Sequence, residues 1–67
     1  MAHDSAISIP TPIGAITLTI DQISSFSRDE RGGVVIILKE MAGDAYLEII
    51  SGYSFKAFSE WYEANKD

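Results

Sequence analysis

Sixty-seven residues without a cysteine, 46 % of them hydrophobic and together carrying a net charge of −5, make one small domain and exclude several classes. A chain this short buries only about 60 % of the surface its unfolded form exposes; without thiols it has neither disulfides nor thiolate metal ligands, so regular packing or assembly must supply the missing stability. The acidic balance speaks against general binding to nucleic-acid backbones and against anionic membranes, and no apolar run approaches the ~20 residues of a membrane-spanning helix.

Residues 1–5 are small and polar and are expected to fray. They lack the basic region and apolar core of a signal peptide, which favours a cytoplasmic location. Ile7 to Ile9 reads as an edge strand, because Pro10 and Pro12 each remove a backbone donor and bar the interior of a sheet. Ala15 to Ile20 alternates: Ile16, Leu18 and Ile20 point one way, Thr17 and Thr19 the other, the pattern of a half-buried strand. Asp21 to Ile23 forms a short turn in which the Asp21 carboxylate is expected to accept local N–H groups. Ser24 to Arg28 follows as a strand with one wet face and Phe26 as its one large apolar residue.

Arg28 to Gly33 reads as a hairpin loop closed by two glycines, and Val34 to Lys39 as the strongest strand. A turn over Glu40 to Asp44 leads to Ala45 to Ile50. From Ser54 the period becomes helical. Phe55, Phe58, Trp61 and Tyr62 share one face, Ser54 is placed to cap the first turn, and Tyr53 and Phe58 have the spacing of a hydrophobic staple. The helix is expected over 55–64. Strands first and one helix last give an α+β domain spanning residues 1–67: an antiparallel meander of three to four strands with one C-terminal helix packed on one face.

The run Gly33-Val34-Val35-Ile36-Ile37-Leu38-Lys39 poses a question of cover. Val34, Ile36 and Leu38 point to one side, Val35 and Ile37 to the other, and both sets are apolar. A ten-residue helix is ~15 Å long and shields one side. Leaving two aliphatic side chains bare on the other forfeits ~1.5–3 kcal/mol each. Either the N-terminal segment, with Ile7, Ile9, Pro12 and Ile13, curls over the second side, or a second copy of the chain does. The second copy is favoured.

Chemistry-bearing groups are few. His3, the one histidine, sits near a chain end, and a zinc site would have to rely on carboxylates. Asp29 and Glu30, flanked by Arg28 and Arg31, form the densest charge cluster. It serves as a recognition loop or, more plainly, as a solvated hairpin tip, since neighbouring extended residues point apart and make a poor catalytic pair. Gly32-Gly33 is followed by a strand, where a nucleotide-binding loop requires a helix. Ser24, Ser25 and Ser27 have no base beside them. Trp61 lies at the margin of the aromatic stripe and is a candidate anchor for a partner.

In generic order, residues 34–58 resemble small flagellar-operon proteins and the last third of LytTR-type DNA-binding domains. The Asp-Gly turn of those groups is replaced here by Met41-Ala42-Gly43-Asp44, and the basic residues of the DNA-binding group are missing, so no family is assigned and no site is carried over. The residues point to a small non-enzymatic protein that self-associates, a dimer first, and binds another protein, without cofactor or metal. Val35, Ile37 and Trp61 are its expected buried contact, and Arg28, Asp29, Glu30 and Arg31 its polar rim. The alternative is a transcription-linked regulator with weak nucleic-acid contact, for which Arg28 and Arg31 are the only basic residues close together.

Overall fold

A computed structural model describes residues 6–66; the expected fraying of residues 1–5, and His3 with them, lies outside the described residues. Strand β1 (Ala6–Thr11) pairs antiparallel with β2 (Gly14–Thr19), setting Ile7 opposite Leu18 and Ile9 opposite Ile16. Facing pairs share a side of the sheet, so these four residues form one apolar face. Pro10 sits within β1, opposite Ala15; β1 is an edge strand, where a missing N–H leaves no broken ladder. At the turn the Thr11 hydroxyl donates to the Gly14 carbonyl and accepts the Ile13 N–H (3.3 Å).

A 3-10 turn (Ile20–Gln22) then redirects the chain. The side-chain carbonyl of Gln22, not the expected Asp21 carboxylate, accepts the Thr19 N–H, at 2.9 Å. Strands β3 (Ile23–Arg28), β4 (Val34–Ala42) and β5 (Ala45–Ser51) form a second antiparallel sheet in the order β3-β4-β5. The α+β expectation holds, with five strands in two sheets among the described residues where a single three- to four-stranded meander is expected from the sequence. The β1–β2 hairpin pairs only with itself, because its prolines suit an edge and the 3-10 turn leads the chain out of its plane. The β4–β5 turn is also tighter than the sequence implied. β4 runs on to Ala42, and Gly43-Asp44 alone reverse the chain, with Gly43 at φ +69°, the glycine-first pattern of a two-residue hairpin loop.

Helix α1 spans Phe55–Asn65. Its start is fixed three times over. Ser54 Oγ accepts the Ala57 N–H (3.2 Å), Tyr53 stacks edge-on to Phe58 (6.4 Å between ring centres), and the Phe55 N–H donates to the Gly32 carbonyl (3.1 Å). The expected staple and cap are both present. Phe58, fully buried, meets Phe26 of β3 edge-on at 4.9 Å, and Phe55 and Tyr62 flank the same ring at 5.8 and 5.0 Å. Such arrangements add ~0.5–1.5 kcal/mol per pair beyond the area they bury.

Hairpin and helix close over the same side of the central sheet. Ile7, Ile9 and Leu18 from the hairpin, Ile23, Val34, Ile36 and Leu38 from the sheet, and Phe58 from the helix make one buried cluster. The N-terminal segment therefore does not curl over Val35 and Ile37; Ile7 and Ile9 are already spent on the Ile36 side. Ser51 pins the hairpin in place. Its hydroxyl, buried at the end of β5, donates to the Pro10 carbonyl (2.6 Å) and accepts the Tyr53 N–H (3.0 Å). Gly33 is required beside it: a Cβ there would lie 2.3 Å from the Ser51 carbonyl oxygen.

Candidate interaction surface

Register places the second side of the sheet in rows. Ser27, Val35 and Ile50 form one, Ser25, Ile37 and Glu48 the next, and Met41 lies opposite Tyr46 beyond an irregular stretch of β4. Val35 and Ile37 are half-buried and lie outside the core cluster. Ile50 and Tyr46 are more open, at 57 % and 56 % exposure, and Met41 is exposed as well. The sequence had picked out Val35 and Ile37; it passed over Ile50, Tyr46 and Met41. The signal for Ile50 and Tyr46 was available in the alternation of β5, which puts Tyr46, Glu48 and Ile50 on one side.

Strands ~4.8 Å apart and residues ~3.3 Å apart make the three-stranded face roughly 14 by 20 Å. That is the dimension of a modest apolar patch. Serines border it on β3, Glu48 interrupts it on β5, and the β3–β4 loop stands at the Val35–Ile50 end. That loop is a built turn. The Gly32 N–H donates to the Asp29 carbonyl and the Asp29 N–H to the Gly33 carbonyl, both at 2.9 Å. Arg28, Glu30 and Arg31 are exposed and Asp29 is half-buried. Asp29 and Arg31 share a hollow of about 530 Å³ with Ile50, Pro10 and Pro12. Polar rim and apolar face thus adjoin, whereas Trp61 does not join them. It is half-buried on the core side, packed at 5.5 Å from Phe58.

Among the described residues no group of three or more His, Asp or Glu is placed to hold a metal ion, and no helix is long and apolar enough to cross a membrane. The ion pair between Lys66 and Glu63 (2.8 Å) lies at the exposed end of the helix, where the hydrogen bond and charge of Glu63 raise the Lys66 pKa above its ordinary value. Fold and surface together define a small α+β protein with antiparallel sheets and one capped helix. No family model, curated protein or solved structure matches the chain.

Proposed function

We propose that this chain is a non-enzymatic protein-interaction module that self-associates through the open side of its central sheet, first as a homodimer, in the cytoplasm. The observation that carries the reading is the apolar set Val35, Ile37 and Ile50, extended by Tyr46 and Met41, lying outside the core that hairpin and helix close. Burial of each aliphatic member against a second copy recovers the part of the ~1.5–3 kcal/mol of full burial that the half-covered single chain leaves unrealised. The patch is small beside the ~1,200–2,000 Å² of a standard interface, so the pairing is of the weak, reversible kind. Arg28, Asp29, Glu30 and Arg31 supply charges of both signs at its end, suited to fixing orientation more than to adding affinity.

Static light scattering from micromolar to near-millimolar concentration tests the reading. A mass climbing above the 7.3 kDa of one chain supports it, and a mass constant at that value overturns it. Val35→Asp is expected to hold the protein monomeric while it stays folded; an assembly that survives this substitution places the contact elsewhere.

A further inference from the structure

We propose that the free edge of β5, with the groove between it and the β1–β2 turn, takes an extended peptide strand of another protein, apolar at alternate positions and bearing a lysine or arginine opposite Glu48. Four consecutive residues, Leu47 to Ile50, line one wall of this groove. Neighbouring side chains of a strand point to opposite faces, so a groove bordered by four in succession runs along the backbone edge itself, ~13 Å of it. That edge is open. β5 pairs with β4 on its inner side, and among the described residues no backbone hydrogen bond joins its outer side to β1. Among the described residues the one hydrogen bond between the two strands comes from Ser51 Oγ, at the end of β5, where β1 lies close beside it. Beyond that tie lies a groove of about 380 Å³, bounded across from β5 by Pro12, Ile13 and Ile16, with Ile13 94 % exposed at the turn.

Two of the other edges are guarded as proteins ordinarily guard them, while the outer edge of β2 has neither proline nor charge. β1 carries Pro10, and β3 carries three serines and a register shift between Ile23 and Ser25. β5 has neither proline nor lysine, and Glu48 is its one charge. Strand addition draws affinity from main-chain hydrogen bonds and specificity from alternate side-chain pockets, and the apolar lining suits such a guest. Charge selects which guest. Among the described residues Glu48 is the one charged residue lining the groove, and the whole chain is at −5, so a basic strand is complementary. A second copy is a poor fit. Glu48 is the middle residue of β5, and an antiparallel pair centred there sets two carboxylates directly opposite, which destabilises the pairing.

The test pans a displayed library of random peptides against the full chain, then titrates the enriched peptides into isotope-labelled protein observed by amide NMR. Enriched sequences should alternate β-branched or aromatic residues with lysine or arginine and should shift the Leu47–Ile50 amides saturably. N-methylation of alternate peptide amides should abolish binding, and Glu48→Lys, at an exposed position, should weaken basic peptides about tenfold. Val35→Asp should leave peptide binding intact, which separates this edge from the self-association face. The proposal is overturned by enrichment no better than background, by shifts confined to the Val35–Ile37 face or the helix, or by N-methylated peptides that bind equally well. It is also overturned by concentration-dependent shifts at Leu47–Ile50 in the Val35→Asp protein without peptide, which would assign the edge itself to a second copy.

Discussion

Along β4 two nearly identical sets of side chains have different surroundings. Val34, Ile36 and Leu38 are shut beneath hairpin and helix, while Val35 and Ile37, of the same chemistry and one residue out of step, lie among Ser25, Ser27, Glu48 and Ile50 on the open side. The difference comes from the amount of chain available. After the three-stranded sheet is made, one hairpin and one helix remain, and both are drawn to the same side because their apolar residues bury more area together than apart. An unbroken apolar strand therefore marks where cover is wanted, not where a small domain can provide it from within.

The sharpest way to break this comparison is a matched pair of substitutions. Ile36→Asp sets an unpaired carboxylate in a fully buried position, a cost of several kcal/mol that rivals the whole stability of a domain this size, and should abolish cooperative thermal unfolding by circular dichroism. Val35→Asp should keep a two-state transition and lose only assembly. If both variants unfold, the two sides are equivalent and the open face is no face at all. Next in size, Ser51→Ala removes the bond to Pro10 and strands the Tyr53 N–H, and should cost ~1–3 kcal/mol in urea denaturation. That loss measures how far the hairpin depends on a polar tie in addition to its apolar contacts. Smallest, Ser54→Ala removes the helix cap for about 1 kcal/mol, and the helical signal should fall with the same midpoint as the tertiary signal, since α1 is held by the core it covers.

What could be read beforehand followed the range of the interactions responsible. The cap and staple at the helix start rest on neighbours within five residues, Tyr53, Ser54, Ala57 and Phe58, and were legible, whereas the Gly32 carbonyl that accepts the Phe55 N–H was not. The alternation of β2 and the apolar run of β4 were equally plain. The separate β1–β2 sheet was not, because nothing local distinguishes a strand that joins the central sheet from one that pairs only with its own hairpin partner. Ser51 looked like the end of a strand; its role depends on a carbonyl 41 residues away, and no pattern in the chain announces that distance. Trp61 looked marginal on a helical projection, yet the sheet side of α1 is broad enough to engage it beside Phe58. Ile50 and Tyr46 were readable from alternation but were overshadowed by the stronger run in β4.

The bond from Ser51 to Pro10 also sets a timetable for synthesis. The β1–β2 hairpin leaves the ribosome ahead of the central sheet, with Ile7, Ile9 and Leu18 ready to dock, but β5, whose Ser51 anchors it, follows only after β3 and β4, just before the helix. Until β5 and the helix emerge the nascent chain holds an oily hairpin without its anchor, the interval in which chaperones or stray contacts claim such segments. Ser51 and the helix that follows it thus complete the fold for the hairpin that precedes them, and a message truncated before Ser51 yields a product that never anchors that hairpin.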